Sequence, residues 1–444
     1  MKRILLWLGG IVVAIGAVAA AFIGWLVLQP GPTDFAKGTA VELAQYKGPS
    51  PTGVPAELAN ADVLTRGKYL TEAADCEACH TARGGVAFAG GRPFVLPFGT
   101  IYTPNITPDA ETGIGKWSDA DFVKAVHQGI APDGSRLYPA FPYASYTMLT
   151  DADVLAIKAY LLSLKPVHQA SKPNTFSFPY NQRWLMGFWS AFFNSDKRFR
   201  PVPEQSPAWN RGAYLVEAAG HCGECHTPRN TLQAMNTRQK FAGGQAEGWN
   251  AYNITADRVS GIGAWSTAEL ATYLTKGHAL GKGTASGPMR DVVELSLSRM
   301  TPGDIAAIAT YVQSVPALSS ATLPQMAGPA PALAKAGPGD NPTGKRLFEG
   351  NCASCHAWNG QGALVQEAQL TGNRAVNDVT AANVAQMVMN GVGHPNGGRP
   401  YMPSFAAAYT DREIASVSNY VTARFGAKPS SITPKDVAKL REQN

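Results

Sequence analysis

The sequence predicts a mostly α-helical chain, with three similar domains in tandem behind one N-terminal transmembrane helix. Three observations predict it. An uncharged apolar run opens the chain, a Cys-x-x-Cys-His pattern occurs three times, and each copy is followed at a distance by an apolar helix with a threonine start signal.

Lys2 and Arg3 precede the apolar run, residues 4–28. As a helix it would span ~37 Å at ~1.5 Å per residue, more than the ~30 Å hydrocarbon core. The basic pair should stay in the cytoplasm, placing the rest on the periplasmic side of the inner membrane. A cleaved signal peptide is the alternative, with small residues at 19–21. The run continues through residue 28, however, beyond the ~7–15 apolar residues of a signal core. The expectation is an uncleaved single-pass anchor over 1–29 and a Gly/Pro-containing polar tether over 30–59.

The chain then repeats itself. Arg66-Gly67-Lys68-Tyr69-Leu70 leads to Cys76, Arg211-Gly212-Ala213-Tyr214-Leu215 to Cys222, and Gly344-Lys345-Arg346-Leu347-Phe348 to Cys352. Each opening reads as a short amphipathic helix. The first two units match again downstream. Asn105-Ile106-Thr107, Gly113-Ile114-Gly115 and Trp117-Ser118 correspond to Asn253-Ile254-Thr255, Gly261-Ile262-Gly263 and Trp265-Ser266. The third unit lacks this block.

Closing helices are expected over 154–164, 305–315 and 414–423, started by Thr150, Thr301 and Thr410. The repeat length of more than ~100 residues marks whole duplicated domains, unlike the ~20–50-residue units of a solenoid. The resulting domains are 60–175, 206–316 and 342–426. An aromatic connector (176–205) and a Pro/Ala linker (317–341) separate them, and a polar tail (427–444) follows.

All six cysteines fall in the three motifs: Cys76, Cys79, Cys222, Cys225, Cys352 and Cys355, followed by His80, His226 and His356. Cys-x-x-Cys-His is the attachment signature of c-type haem. Two thiols bond to the vinyl groups of one haem, and the adjacent imidazole reaches the iron. Three covalent haem c groups are therefore expected. A zinc site or redox dithiol is the competing reading. Zinc wants four ligands per site, and three copies with histidine in the fifth position on an exported chain speak against it.

The open side of an electron-transfer haem is usually closed by Met or His, and Met raises the potential. Met402, in Tyr401-Met402-Pro403, is the candidate in domain three. Met289, in Gly287-Pro288-Met289, is the candidate in domain two, with Met300 as its alternative. Domain one has Phe141 at the comparable place, and Phe cannot bind iron. Met148 and His127 are the remaining candidates there. With neither bound, the first iron would stay open.

The formal charge of +6 roughly balances the propionates of three haems, and no Lys/Arg run marks a nucleic-acid partner. No Ser/His/Asp set, phosphate loop or dinucleotide glycine motif stands out. The connector carries Trp184, Phe188, Trp189, Phe192 and Phe193. It reads either as a helix packed between domains or as a contact for a membrane or partner.

The three motifs, the two Asn-Ile-Thr blocks and the Arg-Gly-x-Tyr-Leu openings resemble the three-haem cytochrome c subunits of membrane-bound bacterial dehydrogenases. These include the alcohol, gluconate, sorbitol and aldehyde dehydrogenase complexes, and the resemblance covers about 60–425. It implies three cytochrome c-type domains serving a separate catalytic dehydrogenase subunit. Electrons would pass to membrane quinone or a terminal oxidase, with membrane lipid around the anchor and no substrate chemistry in this chain. Its pattern puts methionine in a Tyr-Pro-Ala-Met-Pro-Tyr turn, which Phe141 breaks. The competing function is a multihaem, peroxidase-like enzyme using an open iron at the first haem.

Overall fold

The computed structural model describes residues 2–319, 341–363, 365–393 and 402–443. The linker expected over 317–341 lies almost wholly outside them. The chain is mostly helical, as expected. Helix α1 runs Lys2–Val27. Arg238 pins its end, donating to Trp25 O (2.8 Å) and Leu28 O (2.7 Å) with the guanidinium 4.9 Å from the Trp25 ring centre.

One expectation is corrected here. Among the described residues, no helix is long and apolar enough to cross a membrane. The transmembrane helix of the expected fold class is not upheld. Neither is the single-pass inner-membrane location with periplasmic domains that rested on it.

The first unit contains α2 (Val63–Ala73), α3 (Cys76–Cys79), the hairpin β1 (Pro93–Leu96) and β2 (Gly99–Tyr102), α4 (Asp119–Gln128), α5 (Tyr143–Tyr146) and α6 (Asp151–Ser163). The connector helix α7 is Leu185–Phe193. The second unit repeats the scheme: α8 (Pro207–Ala213), extended by a π-helical turn over Tyr214–Ala219, then α9 (Gly223–His226), the hairpin β3 (Gly244–Ala246) and β4 (Trp249–Ala251), α10 (Thr267–Lys276), α11 (Pro288–Leu295) and α12 (Pro302–Ser314). The third unit has α13 (Pro342–Asn351), α14 (Ala353–His356), α15 (Ala382–Asn390) and α16 (Asp411–Phe425), followed by α17 (Pro434–Arg441).

The start signals act as the sequence implies. Thr150, Thr301 and Thr410 accept from Asp153 N, Asp304 N and Glu413 N. Ser118 and Ser266 cap α4 and α10 with reciprocal boxes, and Asp62 caps α2. Each cap satisfies amides that have no partner in the first helical turn.

In every unit the opening helix crosses the closing helix at the glycine of its opening motif. A Cβ on Gly67 would lie 2.0 Å from Ala156 O, one on Gly212 2.0 Å from Ala307 O, and one on Gly344 2.4 Å from Ser416 O. The backbones touch, so only hydrogen fits.

The first two units share one hydrophobic core, while the third has its own. Their interface exchanges equivalent residues. Tyr69 of the first unit donates to Asp304 of the second at 2.6 Å. Tyr214 of the second donates to Asp153 of the first. Arg211 closes the site with a two-pronged pair to Asp304 (Nε–Oδ1 2.8 Å, Nη2–Oδ2 2.7 Å). Arg211 also donates to Pro51 O and Gly53 O. Segment 30–59 is fastened along both units, with Gly53 N donating to Asp153 Oδ2 (2.9 Å) of the first and Pro32 O accepting from Lys240 and Tyr311 of the second.

Helix α7 bridges the first two units. Trp189 packs edge-on against Tyr143 (5.8 Å) and donates to Leu232 O (2.9 Å). Trp184, Phe188 and Phe192 stay exposed.

Candidate haem-attachment sites

Each Cys-x-x-Cys-His motif forms a single helical turn. His80 N donates to Cys76 O (3.0 Å), His226 N to Cys222 O (3.1 Å) and His356 N to Cys352 O (3.0 Å). This spacing stacks the first cysteine and the histidine on one face, with the second cysteine beside them. Burial pushes the thiols of Cys76 and Cys222 up to about 12, and those of Cys225 and Cys352 up to about 11. Cys79 is raised for the same reason. In the chain itself these thiols stay protonated. Among the described residues, no three or more His, Cys, Asp or Glu converge as ligands for a metal ion.

The imidazoles are all held alike. Nδ1 of His80 lies 2.8 Å from Pro104 O, that of His226 2.6 Å from Tyr252 O, and that of His356 2.6 Å from Ala368 O. A carbonyl only accepts, so Nδ1 carries the proton and the Nε2 lone pair is left for a ligand. Burial holds all three imidazoles below their ordinary value, in the neutral state that metal ligation needs.

The repeated Asn-Ile-Thr block explains how two of these carbonyls are placed. Asn105 Oδ1 accepts from Thr107 N (2.9 Å) and Asn253 Oδ1 from Thr255 N (2.8 Å). Their Nδ2 groups donate to Val167 O (2.7 Å) and Leu318 O (2.6 Å). The loop is thus fixed one residue after Pro104 or Tyr252. A Cβ on Gly113 or Gly261 would crowd Thr107 O (2.1 Å) or Thr255 O (2.3 Å), which is why the block is glycine-rich.

The first two turns face each other across the shared core. Arg92 donates to Ala78 O (2.6 Å), inside the first motif. It also pairs with Asp291 (3.0 Å) and Glu247 (3.2 Å) of the second unit. Tyr146 donates to Ala74 O (2.6 Å) and meets the His221 ring edge-on at 5.3 Å. Ser145 donates to Glu224 (3.0 Å). Asp75, buried beside the first turn, is raised to about 8 by that burial and by the nearby Asp291 charge. The third turn differs: Cys355 is exposed, as is nearby Trp358.

Met289, on α11, and Met148 are partly buried against the shared core, and Met300 is buried in it. Met402 packs on the third core, and its backbone pairs with Val392 (2.9 and 3.0 Å). Phe141 packs against Tyr146 at 5.5 Å. His127 is fully buried, with Nδ1 3.7 Å from Asp151. Sequence reasoning missed Arg92, Tyr252 and Asp378. Their roles are long-range contacts that leave no local pattern.

The residues fit c-type haem: paired thiols for covalent attachment, and an imidazole nitrogen beside each pair. Bound there, a haem supplies an iron that takes up and releases one electron. The chain's part is to fix the ring, exclude water and hold the proton on Nδ1.

A cytochrome c family pattern matches residues 64–165 and 342–424. The gluconate 2-dehydrogenase cytochrome c subunit of Pantoea cypripedii is 39% identical, with 86% of this chain and 90% of that protein covered. The cytochrome c subunit of a quinone-type alcohol dehydrogenase from Gluconacetobacter polyoxogenes is 36% identical, covering 86% and 85%. A nicotinate dehydrogenase subunit of Pseudomonas putida is 40% identical over 84% of this chain but only 31% of its own, longer length. Matched along most of its length by such relatives, this chain belongs to the cytochrome c subunits of dehydrogenases, electron-transfer proteins with covalently bound haem c.

Proposed function

We propose that the chain carries three haems and relays electrons from a catalytic dehydrogenase subunit to quinone or a terminal oxidase. The haems attach at Cys76/Cys79, Cys222/Cys225 and Cys352/Cys355, in domains 60–175, 206–316 and 342–426. His80, His226 and His356 bind the irons through Nε2. Met289 and Met402 close the second and third irons, and Met148 the first.

The observation that carries this reading is the common setting of the three histidines: a one-turn helix beside two cysteines, with Nδ1 on a carbonyl at 2.6–2.8 Å. The naming of one relative for a quinone-type dehydrogenase supports quinone as acceptor. Substrate oxidation belongs to the partner.

Single methionine variants test the ligand set. Met289→Ala and Met402→Ala should each turn one haem high-spin in the oxidised spectrum and lower its potential. Met148→Ala should do the same for the first haem. Three unshifted low-spin haems in any of these variants would refute that methionine's role.

A further inference from the structure

The third unit grips the second immediately behind one of the three imidazoles. Asn250 N donates to Asn383 Oδ1 (2.8 Å), and Asn383 Nδ2 donates back to Asn250 O (3.0 Å). Asn250 Nδ2 and the Tyr252 hydroxyl both donate to Asp378 Oδ2, at 2.8 and 3.1 Å. Arg374 lays its guanidinium over the Tyr252 ring, 5.2 Å from its centre. Its Nη2 donates to Asn253 O (3.1 Å) and to Ser260 O.

Tyr252 is also the residue whose carbonyl holds His226 Nδ1 at 2.6 Å. Its ring and hydroxyl are therefore held by the third unit, and its carbonyl holds the second unit's imidazole. Arg374 is half-buried, and among the described residues no carboxylate forms an ion pair with it. Its charge acts on its surroundings, with the Asp257 carboxylate and the His226 imidazole both within Coulombic reach. The other two imidazoles hang on Pro104 and Ala368.

We propose that Arg374 and Asp378 of the third unit set the reduction potential of the haem at Cys222–His226, acting through Tyr252. The proposal rests on the haem reading of that turn. Two physical effects of opposite sign act there. Oxidised iron carries one more positive charge than reduced iron, so a cation close by disfavours it and raises the potential. The clamp on Tyr252 fixes the Nδ1–H···O bond. That bond makes the imidazole a stronger donor to the iron, an outer-shell effect that lowers the potential. Both are positioning residues, since neither touches the iron. The second haem reaches its working potential only with the third unit seated.

Spectroelectrochemical titration of the full-length holoprotein tests this. The second haem is identified as the component missing from a Cys222→Ala/Cys225→Ala variant. Arg374→Gln should lower the potential of that component and leave the other two in place, and Arg374→Lys should restore most of the shift. Tyr252→Phe keeps the carbonyl but removes the hydroxyl anchor, so it should move the same component upward. This variant also covers the case in which Arg374→Gln fails to fold. With three haems attached, an unmoved second component in the folded variants overturns the proposal but leaves the haem reading standing. Equal shifts of all three components would also overturn it. Loss of no haem in the double-cysteine variant would instead overturn the haem reading of that turn.

Discussion

Gly212 is where the account can be pressed hardest on packing. A Cβ there would sit 2.0 Å from Ala307 O, while an ordinary C···O contact starts at ~3.3 Å. Helices α8 and α12 would have to part by more than ~1 Å across a core shared by two units, and overpacking of this kind costs ~1–3 kcal/mol or more. Backbone meets backbone, so no flexible side chain can yield, which puts the cost at the upper end. The helix preference for Ala over Gly returns up to ~1 kcal/mol. The net loss for Gly212→Ala is about 2 kcal/mol, or ~4–8 °C in Tm for a cooperative body of this size. Gly67→Ala, with the same 2.0 Å approach to Ala156 O, should behave alike. Gly350 lies in α13 with nothing within 4 Å, so Gly350→Ala should leave Tm unchanged or slightly raised. Scanning calorimetry of the holoprotein measures all three. A Gly212→Ala protein as stable as the Gly350→Ala control would refute the crossing as described.

Two further outcomes follow from buried charge. Arg211→Met leaves Asp304, only 3% exposed, with Tyr69 as its remaining side-chain partner, and should cost ~3–5 kcal/mol by denaturant unfolding; a loss below ~1 kcal/mol would contradict the buried pair. His127 is held down to about 4 by burial and by the Arg198 guanidinium. Its folded value lies below its unfolded one, so its contribution is complete above ~6.5 and is lost as pH falls from there through about 4. That contribution is about 3 kcal/mol, and His127→Phe should flatten this part of the stability–pH curve; an unchanged slope would refute the assignment.

Much of the fold could be read from local pattern because its signals are local. The threonine caps, the Trp-Ser starts of α4 and α10, and the glycine in each opening motif each settle a structural question within a few residues. The exchange of Tyr69 and Tyr214 with Asp304 and Asp153 could not be read this way. Each bond joins residues 235 or 61 positions apart, and either tyrosine alone looks like a core aromatic. Tyr252 and Arg374 escaped for the same reason. The motif turns were legible, but not the carbonyls that orient their histidines. The apolar run over 4–28 showed the opposite failure. Sequence hydropathy implied a membrane crossing that the described residues of α1 do not support.

The central claim is that three haems are covalently bound, one on each Cys-x-x-Cys-His turn. Mass measurement of the denatured chain, alongside a haemochrome count, tests it most directly. The account predicts a mass exceeding the bare chain by three haems, falling by one haem when either Cys76/Cys79, Cys222/Cys225 or Cys352/Cys355 is replaced by alanine. Haem released on denaturation, or a count below three in the unaltered chain, would contradict it.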